Sequence, residues 1–202
     1  MNLRQHPDRD DMKVWLSADE IDAFLDAAPS QNRRLAFALG VRCGLRSEEV
    51  TDVRPQHVTE TDAGRMLRVP DGKGGKYRET PIPHDLAQRI EMAVEYRDEP
   101  DDHPVVTSQA GSPGVSTRTL RRWVEAAREQ LAEQTGDDGW RHLTFHDLRA
   151  TWATQLRSAD VASMVVCDWG GRNDLETFLD HYRGTHTPEA QRRERQKVEW
   201  LA

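Results

Sequence analysis

The chain has 202 residues, enough for one sizeable core or two small ones. Its 35 acidic side chains against 28 lysines and arginines give a net charge of -7, so composition alone argues against a nucleic-acid partner, which usually selects a basic surplus. No apolar run reaches the ~20 residues of a membrane-spanning helix, and the polar start Met1–Pro7 has no secretory pattern; the two cysteines, Cys43 and Cys167, stand apart without metal-type spacing.

These observations predict one soluble, cytoplasmic domain with no membrane, no disulfide and no bound metal. Only four of the bases are lysines (Lys13, Lys73, Lys76 and Lys197), and aspartates cluster at 8–11 and 98–102. That balance points to a halophilic surface, coated with acids, in which arginine is kept for phosphate because its planar fork is always charged.

The predicted elements are mostly helical, with one small antiparallel strand region, so the expected fold class is mainly α with a small β-sheet (α+β). Ser17-Ala18-Asp19-Glu20 is a capping box ahead of Ile21, Phe24 and Leu25, and starts a helix near residue 18. A second helix runs from about Asn32 to Cys43 and stops at Gly44. Ser47 then caps a short helix through Val53.

Two alternating segments, Arg65–Val69 and Tyr77–Ile82, flank the turn-rich Pro70-Asp71-Gly72-Lys73-Gly74-Gly75 and predict a hairpin with Lys73 near its tip. Helices follow at His84–Tyr96 and, beyond an acidic loop at Asp98–His103, at Ser116–Gln134. The latter carries Leu120, Trp123, Val124, Ala127 and Leu131 at helical spacing. Further helices are expected over Phe145–Leu156, Val161–Cys167, Asp174–Arg183 and Thr187–Leu201.

Several basic clusters along this frame suit a phosphate. Arg46 follows a helix-ending Gly44-Leu45 and precedes a helix start, where free N–H groups favour an anion; Glu49, three residues on, is placed to hold its guanidinium. Lys73 is flanked by glycines that let the backbone come close to a ligand. His146 and Arg149 stand at i and i+3 on one helix, a proton carrier beside an oxyanion clamp. Taken singly, Arg46 and Lys73 read better as solvated surface side chains, and the third pair reads also as a partly buried histidine beside a surface arginine. His142 lies four residues before His146, but no third metal ligand accompanies the pair.

In this order and spacing the clusters resemble the tyrosine recombinase or phage integrase family. Gly44-Leu45-Arg46-Ser47-Glu48-Glu49-Val50 looks like its first arginine box, and Gly72-Lys73-Gly74 through Thr80-Pro81-Ile82-Pro83 like its lysine hairpin. Thr144-Phe145-His146-Asp147-Leu148-Arg149 matches its His-x-x-Arg box, and Gly171 through Tyr182 resembles the segment leading to the nucleophile. Two departures stand out. Arg172 occupies a place where many relatives have His or Trp, and reads either as a third phosphate-binding arginine or as a solvated one. The run to Tyr182 is one residue longer than usual, which puts His181 at the ordinary tyrosine position; Tyr182 is preferred because a phenol forms the family's intermediate.

The resemblance implies a helical catalytic domain over 17–186, after an N-terminal extension (1–16) and before a C-terminal helix or tail (187–202) of the kind that protomers exchange. It implies the catalytic set Arg46, Lys73, His146, Arg149, Arg172 and Tyr182, supported by Glu49, cutting double-stranded DNA through a 3′-phosphotyrosyl link. Neither cofactor nor metal is required, and a dimer or tetramer on DNA near the nucleoid is expected. Two other readings keep the same boxes: a non-catalytic DNA-binding relative, and a topoisomerase-like strand transferase. The helical domain that relatives carry ahead of the catalytic one has no counterpart in the 16 residues before the first helix, as in an excised fragment or a short enzyme.

Overall fold

The computed structural model describes residues 2–5, 12–72, 75–97, 102–108, 114–171, 192–193 and 195–196. Its first elements are two short antiparallel strands, β1 (Asn2–Gln5) and β2 (Met12–Trp15). Helices α1 (Ala18–Asp26), α2 (Gln31–Cys43) and α3 (Ser47–Thr51) follow, then an antiparallel sheet in the order β3-β4-β5 (Val58–Thr61, Gly64–Gly72, Lys76–Pro81). Helices α4 (His84–Arg97), α5 (Thr117–Thr135), α6 (Phe145–Ser158) and α7 (Ser163–Gly170) complete the elements among the described residues; the helix expected over 174–183, and all but four residues of the one expected over 187–201, lie outside them. This is the mainly helical fold with small antiparallel sheets that the sequence predicts.

Helix boundaries follow their caps. Ser17 accepts from the Glu20 amide while the Glu20 carboxylate accepts from the Ser17 amide, closing the capping box of α1. α2 ends on Gly44 at φ 67°, a left-handed conformation that glycine adopts without strain. Ser116 caps α5 through the Thr119 amide, and Gly136 closes it.

At α3 the structure differs from expectation. Arg46, not Ser47, occupies the N-cap, and Ser47 is the first helical residue. The cap is made in reverse, by the Glu49 carboxylate accepting from the Arg46 amide at 2.7 Å.

α2 is the axis of the core. Leu35, Ala36, Phe37, Ala38, Leu39, Gly40, Val41 and Cys43 are all buried, so the helix is enclosed on every side instead of presenting one apolar stripe. Phe24 of α1 lies against Phe37 with ring centroids 4.6 Å apart. Gly40 lets α6 come close: a Cβ there would lie 3.2 Å from both Leu148 and Phe145. A smaller cluster, Trp152, Ala153, Val166 and Cys167, joins α6 to α7. Cys43 and Cys167 are both buried, as small core residues should be.

Two features were not visible in the sequence pattern. β3 pairs with β4 through Val58↔Leu67 and Thr59↔Met66, extending the hairpin to three strands. β2 is held to α6 by side chains as well as by its partner strand: the amides of Val14 and Leu16 donate to Asp147 and to the Thr151 hydroxyl, and the Gln155 side-chain amide donates to the Leu16 carbonyl. Val14 and Leu16 thereby enter the core ahead of α1.

Among the described residues, no helix is long and apolar enough to cross a membrane.

Candidate active site

Arg46, Glu49, His146 and Arg149 come from stretches about a hundred residues apart, yet they line one cleft of about 690 Å3 between α3, α5 and the start of α6. The packing of α6 against α2 and of α3 against α5 brings the two stretches together.

Glu49 is the organising group. Its Oε1 accepts from Arg46 Nη1 at 2.8 Å and from Arg78 Nη1 at 2.7 Å; its Oε2 accepts from the Arg46 amide and from Arg78 Nη2, both at 2.7 Å. All four lone-pair sites of the carboxylate are therefore used. Burial pushes the Glu49 carboxyl up, but the hydrogen bonds and charges of Arg78 and Arg46 outweigh it and hold the group down at about 2. One carboxylate between two guanidinium groups leaves this cluster with net positive charge, and Arg46, half-buried, carries it to the cleft.

Arg149 is 2% exposed and is fixed by carbonyls at two helix ends. Its Nη1 donates to Gly44 O after α2, and its Nη2 to Gly170 O at the end of α7. Such end carbonyls lack intrahelical partners and carry partial negative charge, so they orient a cation. His146 is exposed on the first turn of the same helix. Asp147 between them caps α6 through the Thr144 amide at 2.8 Å and the Thr144 hydroxyl at 2.6 Å, which fixes the turn that presents His146.

Lys73, Arg172 and Tyr182 lie outside the described residues. β4 ends at Gly72 and β5 begins at Lys76.

Three arginines of this region were not singled out from sequence. Arg121 and Arg128 of α5 stand at i and i+7, beside the buried stripe Leu120, Val124, Ala127 and Leu131, and line the cleft opposite α3. Arg128 Nη1 donates to Leu143 O at 3.0 Å. Their spacing next to that stripe is a signal that could have found them. Arg78 is 6% exposed and pairs with Glu49 from β5. Period-2 alternation identifies β5 as a strand but not its inner face: Arg78, Thr80 and Ile82 are buried, whereas Tyr77 is 60% exposed.

The profile of the phage integrase family matches residues 14–188. Among curated relatives, the chain is 28% identical over 165 residues to a tyrosine recombinase XerA of Thermococcus kodakarensis, covering 80% of this chain and 55% of that protein. It is 28% identical over 179 residues to a putative integrase/recombinase of Sinorhizobium fredii, covering 85% and 52%. Among solved structures, the fold is similar to that of a XerA recombinase, with a TM-score of 0.71 at 21% identity over 92% of this chain and 65% of that one. It is also similar to a XerH site-specific recombinase in a post-cleavage complex with its DNA substrate, with a TM-score of 0.69 at 21% identity over 93% and 53%. The chain thus spans roughly half to two thirds of the length of these relatives.

Proposed function

Because the chain belongs to the phage integrase family, we propose that it is the strand-cutting unit of a site-specific DNA recombinase that works through a 3′-phosphotyrosyl intermediate. The observation that carries this reading is the shared cleft, in which Arg46, held by Glu49, and Arg149, held by two helix-end carbonyls, stand with His146.

On this reading the scissile phosphate sits between the two arginines, which take up the charge that builds on its non-bridging oxygens in the five-coordinate transition state. Arg172 is a third candidate for that role. His146 orients the phosphate and assists proton transfer. The Tyr182 phenol gives its proton to His146 as its oxygen attacks phosphorus, the bond to the 5′ oxygen breaks, and Lys73 gives that oxygen a proton. The phosphotyrosyl bond keeps the energy of the diester, so a 5′ hydroxyl of a second strand reverses the step without ATP. The partners are double-stranded DNA and further copies of the protein, as a dimer or tetramer on that DNA, and the place of action is the cytoplasm at the nucleoid. The catalytic domain is assigned to 17–186, with 187–202 as a C-terminal helix or tail.

The test is covalent trapping. DNA captured by the full-length protein is offered as a nicked suicide duplex, and an SDS-resistant protein–DNA adduct is expected. Absence of an adduct on every captured site would overturn the reading in favour of a non-catalytic DNA-binding relative. Plasmid relaxation without strand exchange would favour a topoisomerase-like enzyme.

A further inference from the structure

Arg78 belongs to none of the groups that would touch a phosphate, yet it ties its own strand, β5, to two helices, α3 and α7. From β5 its two terminal nitrogens clasp Glu49 on α3, each at 2.7 Å, and its Nε donates to Trp169 O near the end of α7 at 2.9 Å. A Cβ on Gly171 would lie only 2.7 Å from the Arg78 Cδ, and Gly171 itself sits at φ 58°. The next carbonyl along α7, that of Gly170, receives Arg149. Consecutive carbonyls at one helix end therefore hold both arginine systems: Arg149 directly, and Arg46 through Arg78 and Glu49.

We infer that Arg78 is a positioning residue that couples the end of α7 to the Arg46 side of the cleft, so that displacement of that helix end moves both clamp arginines together. This rests on the reading of the cleft as a strand-cutting site. Physically, Glu49 is buried with every lone pair occupied, and half of its hydrogen bonds come from Arg78. When Arg78 shifts, the carboxylate must follow, and with it both the Arg46 amide and its guanidinium. A lysine cannot reproduce this, because a single ammonium on a flexible stem offers neither the two-pronged fork nor a separate donor for Trp169 O.

Two variants approach the same joint from opposite sides. Arg78→Lys keeps the charge and removes the fork; Gly171→Ala leaves every charged group intact and pushes on Arg78 from α7. For each, melting temperature, DNA affinity by anisotropy, the single-turnover rate of adduct formation and the 15N Nε–Hε signal of Arg46 are measured. Both variants are expected to fold and to bind DNA with unchanged affinity, yet to cleave about a hundredfold more slowly, the loss that follows when a reacting group is misplaced by ~1 Å. The Arg46 signal is expected to shift and broaden in both. Cleavage at the wild-type rate, or a loss that only mirrors weakened DNA binding or a smaller folded fraction, overturns the inference. If the wild-type protein itself forms no adduct, the strand-cutting reading fails, and the Arg46 signal alone decides the coupling: perturbed in both variants it stands, unchanged in both it falls.

Discussion

Gly44 and Trp152 approach so closely that a Cβ on Gly44 would lie 2.4 Å from two ring carbons of the indole. The same glycine ends α2 in the left-handed region and offers its carbonyl to Arg149. Gly44→Ala must therefore strain the backbone and displace a buried ring at once, for a loss of about 2–4 kcal/mol. Urea denaturation measures it. A loss below about 1 kcal/mol would show that the joint relaxes freely, contrary to its packing.

Of Arg46 and Arg149, Arg46 is the one whose removal leaves less structural damage, since it is only half-buried and its backbone amide keeps its bond to Glu49. Arg46→Ala is expected to slow adduct formation by ~10²–10³, the usual worth of one oxyanion donor, with little change in melting temperature. A rate within about tenfold of wild type would remove Arg46 from the proposed clamp.

Tyr182→Phe removes a single hydroxyl and is expected to abolish the adduct while leaving DNA binding intact. His181→Ala, one residue earlier, is expected to retain the adduct. The reverse pattern in gel-resolved trapping would transfer the nucleophile to His181.

The pH dependence of stability follows from Glu49. Its carboxyl is held at about 2 in the folded protein against an ordinary 4.5, so the unfolded chain binds the proton more readily. The stabilisation is complete above the ordinary value and fades as the pH falls from there toward about 2. Glu49→Gln is expected to flatten this acid limb in urea titrations and, by leaving the buried Arg78 fork without its anion, to cost about 3–5 kcal/mol at neutral pH. An acid limb of unchanged steepness would assign the effect to other carboxylates.

Salt supplies an independent test of the surface. With 35 acids against 28 bases, repulsion among exposed carboxylates opposes folding, and counterions relieve it. The melting temperature is expected to climb as KCl rises from none toward molar concentrations. Full, unchanged stability in salt-free buffer would count against a halophilic surface.

The fold was legible in the sequence where local chemistry and periodicity agreed, as in the Ser17 capping box, the Gly44 stop and the apolar spacing of α5. It was not legible where tertiary partners decide the structure. β1 is exposed throughout and β2 buries two consecutive residues, Val14 and Trp15, so neither shows the alternation by which a half-buried strand is recognised. Arg78 reads as a surface arginine because nothing nearby in sequence announces Glu49, 29 residues earlier, as its partner. The pairing of Arg46 with Glu49 was visible because helical spacing alone brings them together. That Arg149 is a buried cation, fixed by carbonyls 105 and 21 residues away, could come only from the assembled structure.

The attachment of β2 to α6 also sets an order of events during synthesis. The bonds that seat Val14 and Leu16 reach across 133 to 139 residues. Contacts of such separation carry a large share of the loop-closure entropy and tend to form late. On the ribosome, Val14 has no seat until Asp147, Thr151 and Gln155 have left the exit tunnel. The apolar stretch from Val14 to Leu16 must therefore wait while the 133 residues that lead to Asp147 are made, open to chaperones or to a neighbouring nascent chain. Pausing the ribosome before or after α6 emerges should consequently divide a protease-sensitive nascent chain from a resistant one.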